Sequence, residues 1–262
     1  MVLKLGIIGT SIGNGHPYSW SAIINGYSKK YLDSCPYPVI RKYLKNDSFP
    51  ENNINGVQVT NVWTQDRKES EKIAKISLIP NIDDKYYDLV DKVDAILLAR
   101  DDYENHYELS LPFIESGMPI YIDKPIATDI TSLNKIFSTQ KYKGQIFTCS
   151  ALKYAKELKL NANEIKSYGS IFKIIAIAPK DWIHYSIHVI EPVLSMFNLY
   201  DDCKVIRVEK IKNGGKKMEV LFNKYLSVEF ITSGLNDTPI TIEIFGSKKS
   251  NKILFNDTFY AF

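Results

Sequence analysis

The stretch LKLGIIGTSIGNGHP, Leu3 to Pro17, sets a continuous apolar run directly before a glycine-rich turn and a proline suited to the first turn of a helix. A buried strand that feeds a helix through such a turn belongs to a strand–helix–strand unit whose return strand lies parallel in the same sheet. The rest of the first half repeats that alternation. VQVTNVW reads as a strand, RKESEKIAKIS as a helix and VDAILLA as a strand apolar on both faces. ENHYELSLPFIESG reads as a helix closed by Gly117, and MPIYI as the next strand. Residues 32–56 make an insertion longer than an ordinary strand-to-helix connection, with a short helix over Val39 to Leu44.

From Thr128 the character changes. A helix over Ser132 to Thr139, a strand in QIFTCSA and a helix through KYAKELKLNANEIKS precede a strand-rich tail. In that tail SIFKIIAIAP, CKVIRVEKIK, KKMEVLFN, LSVEFIT and ITIEIFGS are strands, and HYSIHVIEPVLSMF is the one helix. The pattern predicts an α/β chain: an N-terminal Rossmann dinucleotide-binding domain over residues 1–124, then a small α+β domain over 125–262 with a mostly antiparallel sheet.

The glycine turn is an altered G-x-G-x-x-G. Gly9 holds the first position, Ser11 the second and Asn14 the third, with Gly13 and Gly15 keeping the loop permissive. The reading is a dinucleotide held by backbone amides at a helix N-terminus, through Gly9, Thr10, Ser11, Ile12 and Gly13. An empty strand-to-helix turn is the alternative.

Charge and cysteine usage narrow the partners. A net charge of +3 comes from lysines spread along the chain, with arginine only at 41, 67, 100 and 207, so no basic stripe points to nucleic acid. Cys35, Cys149 and Cys203 are odd in number and far apart, which suits a reducing compartment. No apolar run is long enough to span a bilayer, and the N-terminus lacks a signal-peptide pattern. A cytoplasmic protein without membrane partners is expected.

In YIDKPIA, Asp123, Lys124 and Pro125 follow a buried strand, and His106 and Gly117 precede them at fixed spacing. With SALKYAKEL, YGSIFKI and HYSIHVIE downstream, the ordered set resembles the Gfo/Idh/MocA family of glucose-fructose oxidoreductase and inositol dehydrogenase, whose hallmark is Glu-Lys-Pro after the fifth strand. The resemblance runs from about Leu3 to Glu191. It implies an NAD or NADP cofactor, a sugar, cyclitol or other polyol substrate, and a homo-oligomer, most simply a dimer through the C-terminal sheet. The alternating apolar positions Met218, Val220, Phe222, Val228, Phe230 and Leu235 are the expected interface.

The same resemblance assigns roles. Lys124 polarises the reacting oxygen and Asp123 positions it and the nicotinamide ribose; a solvated strand-end lysine is the alternative. His188 takes the catalytic histidine position as proton relay, His184 replaces an aspartate and tunes it, Glu191 replaces a second acid and Ser186 a glycine. Two histidines and a carboxylate on one helical face also suit a metal, but no further ligand is identifiable and none is assigned. Thr64 stands where an acid would bond the adenosine ribose, so the phosphorylated cofactor is not rejected, and Arg67 is placed to bind its phosphate; a surface arginine in the first turn of the next helix is the alternative. Arg100 and Asp101 replace threonine and proline at the end of VDAILLA; either they and His106 contact ligand, or they form a salt-bridged loop. Lys153 is placed to contact a substrate hydroxyl or carboxylate; a solvated lysine is the alternative. Three functions remain open: polyol oxidoreduction, a non-catalytic dinucleotide- or sugar-binding regulator, and a redox-neutral elimination or glycoside cleavage through transient oxidation.

Overall fold

The computed structural model describes residues 2–46, 51, 53–200 and 202–256. Residues 47–50 and 52 of the expected insertion lie outside them. The chain divides into two compact units, 1–148 and 149–262.

The first unit runs β1 (Leu3–Ile8), α1 (His16–Asn25), α2 (Pro38–Lys45), β2 (Val57–Trp63), α3 (Arg67–Ile76), β3 (Asn81–Ile82), β4 (Ala95–Leu98), α4 (His106–Ser116), β5 (Ile120–Ile122), α5 (Ile130–Phe137) and β6 (Ile146–Phe147). Its parallel sheet has the order β3-β2-β1-β4-β5-β6. This is the doubly wound order, which changes direction between β1 and β4. Right-handed crossovers running opposite ways from β1 put α1 and α3, packed on β2, and α4, packed on β4 and β5, on opposite faces. Ile8, Leu98, Phe113, Ile114, Ile120 and Ile122 fill the α4 side. Gly117 ends α4 in the left-handed region at φ 86, as its placement in the sequence implies.

The boundary expected after Lys124 falls instead after Thr148. The reason is β6, which pairs in parallel with β5 and carries α5 and its own residues into the first sheet.

The second unit runs α6 (Ala162–Ser167), β7 (Ile171–Ala178), α7 (Trp182–Tyr185), α8 (Ile187–Phe197), β8 (Cys203–Lys210), β9 (Lys216–Phe222), β10 (Leu226–Thr232), β11 (Thr241–Gly246) and β12 (Ser250–Leu254). The sheet order is β12-β11-β7-β10-β9-β8, antiparallel except between β7 and β10. Val189 and Val193 of α8 pack with Ile174, Ala176, Phe230 and Ile244 in its core.

Three local expectations change. The helix expected through KYAKELKLNANEIKS is two 3-10 turns, Ala151–Tyr154 and Lys156–Leu158, followed by α6. Leu152, Ala155 and Leu158 are all buried and recur every third residue, the 3-10 period, and Asn161 then opens α6 afresh with a capping box. The segment around His184 and His188 is two helices meeting at Ser186. Finally, Val220, Phe222, Val228 and Phe230, expected on an uncovered sheet face, are core residues, with Met218 packed beside them. Their alternation is real, but that face is packed into the second unit's core, with α8 on β7 and β11 and α7 on β10. The opposite face carries half-buried Ile175, Ile177, Leu221, Ile231 and Phe245 around Glu229, which Lys173 and Lys217 each meet at 2.8 Å.

Candidate active site

The loop after β1 lies at the C-terminal edge of the first sheet, where its order changes direction and where open α/β sheets bind ligands. Gly9 is obligatory for packing, since a Cβ there would lie 2.2 Å from Cγ of Pro17 in the first turn of α1. Among the described residues, the backbone N–H groups of Ser11, Ile12, Gly13 and Gly15 have no hydrogen-bond partner. Four open amides beside a helix N-terminus fit an anionic pyrophosphate.

The two replaced glycines hold the loop in place. Ser11 donates its hydroxyl to the Asp101 carboxylate and accepts from the Asp101 N–H at 3.2 Å, bridging the ends of β1 and β4. Asn14 accepts from the His16 N–H at 2.7 Å and donates to Asp123 Oδ2 at 3.1 Å. Thr10 is fixed through Gln65, whose amide donates to the Thr10 carbonyl at 2.8 Å and accepts from its N–H at 3.2 Å. Tyr37, in the insertion, donates to the Asn14 carbonyl at 3.0 Å.

Asp123 follows β5 and is 1% exposed. His16 Nδ1 stands 2.5 Å from Oδ2, and the Lys124 N–H donates to Oδ1 at 2.8 Å. The His16 ring stacks on Trp20, with centroids 4.7 Å apart, and Trp20 meets Tyr121 edge-on. Burial pushes the Asp123 carboxyl up, but the charges of His16 and Lys124 and the hydrogen bonds from both outweigh it and bring it to about 2. Lys124 itself is 7% exposed, and among the described residues its ammonium makes no hydrogen bond or ion pair.

Arg100 and His106 are engaged in structure. The Arg100 guanidinium is held bidentately by Asp102 and donates to Gln65 at 3.0 Å. His106 is fully buried, with Nε2 2.8 Å from the Arg100 carbonyl and Nδ1 3.1 Å from that of Ile126, so it ties the loop after β4 to the segment after Lys124. At the end of β2, Thr64 donates its hydroxyl to the Asp66 carbonyl at 2.6 Å, inside its own turn. Arg67 is paired with Asp84. Trp63, Thr64, Gln65, Arg67, Asp83 and Asp84 line a cavity of about 400 Å³ there.

In the second unit the expected residues separate. His184 Nδ1 is 2.9 Å from Asp181, the N-cap of α7. His188 is buried with Nδ1 2.8 Å from Ser150 Oγ, while Glu191 accepts from the Ser150 N–H at 2.5 Å and from Lys153 at 3.3 Å. Ser150, His188, Glu191 and Lys153 are therefore one cluster, and His184 belongs to another pair. Among the described residues no group of three His, Cys, Asp or Glu side chains is gathered as a metal would require.

The sequence from residue 3 to 150 matches the family model of the Gfo/Idh/MocA oxidoreductases, described as an oxidoreductase family with an NAD-binding Rossmann fold. The chain belongs to this family. No curated protein matches the sequence. Three solved structures share the fold of this Gfo/Idh/MocA protein. Myo-inositol dehydrogenase from Lactobacillus casei, in complex with NAD(H) and myo-inositol, has a TM-score of 0.69 at 13% identity, covering 97% of this chain and 74% of that one. Levoglucosan dehydrogenase, in complex with NADH and L-sorbose, has a TM-score of 0.71 at 13% identity, covering 97% and 74%. Myo-inositol 2-dehydrogenase from Lactobacillus plantarum has a TM-score of 0.68 at 11% identity, covering 97% and 76%. No helix among the described residues of this family member is long and apolar enough to cross a membrane.

Sequence reasoning missed His16, Asn14, Gln65, Asp84 and Ser150 as site residues. The only signal for the first two was their place in the altered glycine loop.

Proposed function

We propose that the protein is an NAD-dependent oxidoreductase acting on the carbinol or carbonyl of a sugar, cyclitol or related polyol. The observation that carries this reading is the Lys124 ammonium, nearly buried at the ligand-binding edge of the sheet and, among the described residues, without a hydrogen bond or ion pair. Holding a cation out of water is costly without a partner, and a substrate oxygen is a suitable one. When bound, the cofactor supplies the hydride acceptor or donor at its nicotinamide. Lys124 donates to the reacting oxygen and stabilises negative charge as it develops. Asp123, clamped by His16 and Asn14, keeps Lys124 in place through its backbone and charge. Within the second unit, His188 and Lys153 are the candidate substrate-binding residues. Polyol ligands in the solved structures of the same fold support the substrate class.

The open amides of Ser11, Ile12, Gly13 and Gly15 suit the pyrophosphate, and the cavity at the end of β2 suits the adenosine ribose. That cavity favours NAD over NADP, because Arg67, the cation that would meet a 2′-phosphate, is already paired with Asp84. The alternative, a non-catalytic binding protein, draws support from Asp101, a carboxylate held against the loop where pyrophosphate would lie. For assembly we propose self-association through the sheet face around Glu229, in place of the covered one.

Calorimetric titration with NAD(H) and NADP(H) tests the cofactor assignment. Binding of NAD(H), with weaker binding of NADP(H), is expected. Failure of both to bind at millimolar concentration contradicts the oxidoreductase reading.

A further inference from the structure

We propose that Ser150 is a positioning residue that fixes His188 as the neutral tautomer with its proton on Nε2, so that the ring presents a hydrogen-bond donor at Nε2 and not a proton acceptor. The proposal starts from the proton of a buried hydroxyl. Ser150 is 0% exposed, and a hydroxyl in that position needs an acceptor for its hydrogen, or the lost hydration is not replaced. Its oxygen accepts from the Leu152 N–H at 3.2 Å. That group is a donor only, so it takes a lone pair and leaves the hydroxyl hydrogen to be placed. Among the described residues the other partner of Oγ is His188 Nδ1, at 2.8 Å. The hydroxyl therefore donates to Nδ1, Nδ1 carries no proton, and the neutral ring carries its proton on Nε2.

The cluster resists the opposite arrangement. The Ser150 backbone is held by the Glu191 carboxylate, 2.5 Å from its N–H, and Glu191 is held by Lys153. Turning the ring into an Nδ1–H donor, or protonating it to an imidazolium, would leave the Ser150 hydrogen without an acceptor. The Tyr185 ring, edge-on at 5.4 Å, packs beside the imidazole. His184, the residue expected to tune His188, faces Asp181 instead.

For the chemistry this rests on the oxidoreductase reading above. A neutral Nε2–H imidazole polarises a carbonyl or steadies an alkoxide by donating a hydrogen bond. The proton released when a carbinol is oxidised then passes to another group or to solvent. The tautomer itself depends on neither cofactor nor substrate.

The test is nitrogen NMR on the full chain labelled with ¹⁵N-histidine, which has only four histidines. Two-bond ¹H–¹⁵N correlations at neutral pH distinguish the tautomers, and loss of one set in His188→Asn assigns it. The expected wild-type spectrum shows an unprotonated Nδ1 and a protonated Nε2 for His188. Ser150→Ala is expected to shift His188 toward a mixture of tautomers, and Ser150→Thr, which keeps the hydroxyl, to preserve the wild-type pattern. An Nδ1–H tautomer or an imidazolium in the wild type overturns the proposal, as does a Ser150→Ala spectrum that still shows pure Nε2–H. If Ser150→Ala does not fold, the wild-type spectrum and Ser150→Thr decide it. A protein that fails to bind NAD(H) yet shows the Nε2–H ring refutes the function and leaves the tautomer standing.

Discussion

Asn14 and Ser11 show how a dinucleotide loop is kept without its second and third glycines. Each replaces a small contact surface by a hydrogen bond to a carboxylate, Asn14 to Asp123 after β5 and Ser11 to Asp101 after β4. Asp123 makes that arrangement pH-dependent. Its carboxyl is lowered in the folded protein from about 3.9 in the unfolded chain, so its stabilisation is complete above the unfolded value and is lost as pH falls through about 2. Asp123 therefore contributes about 2 kcal/mol at neutral pH, which disappears between roughly pH 4 and pH 2. Denaturation midpoints measured across that range should fall less steeply for Asp123→Asn than for the wild type; equal slopes would place the dependence elsewhere. Asp123 and Lys124 were legible in the sequence because they are adjacent and precede proline. Their partner His16 was not, because the contact joins residues 107 apart, and a pairwise bond at that separation leaves no local pattern.

At the scale of elements, periodicity identified the long strands and helices, and failed where burial follows another period. Leu152, Ala155 and Leu158 recur at three and make 3-10 turns, whereas a helical face recurs at three and four. The two-residue β3 and the edge strand β12 offered too little pattern to read, and with β3 went Asp83 and Asp84, which it delivers to the cavity at the end of β2. Asp84→Asn releases Arg67 and removes a negative charge, so NADP(H) affinity relative to NAD(H) should rise about ten-fold, the scale of one charge-assisted hydrogen bond. Parallel titrations with the two cofactors read this directly, and an unchanged ratio would remove Arg67 and Asp84 from the ribose site. The junction of β1, loop and α1 is equally specific. Gly9→Ala drives a Cβ onto the Pro17 ring, which has no alternative rotamer. It should destabilise the protein by about 1–3 kcal/mol, the usual cost of overpacking. A thermal midpoint equal to that of the wild type would show that α1 moves freely.

For the whole molecule, the order of strands and helices carried the two-sheet architecture, because each sheet type imposes its own alternation along the chain. What covers each sheet face was not legible. Val220, Phe222, Val228 and Phe230 alternate as an interface strand does, yet they lie in the core of the second unit, while the opposite face surrounds Glu229 with two lysines and half-buried isoleucines. Light scattering at micromolar concentration should give the mass of a dimer or larger assembly, and Ile175→Asp should lower it; a monomeric wild type rules out assembly through this face at that concentration. The function of the molecule turns on whether Lys124 acts on the reacting oxygen. The decisive measurement is turnover of a panel of sugars, cyclitols and other polyols, followed by nicotinamide absorbance, with wild type and Lys124→Met side by side and NAD(H) binding measured for both. Loss of roughly 10² or more of the turnover, with cofactor affinity kept within several-fold, is the result predicted for a group that acts in the transition state. A Lys124→Met protein that turns over its substrate at the wild-type rate would contradict it.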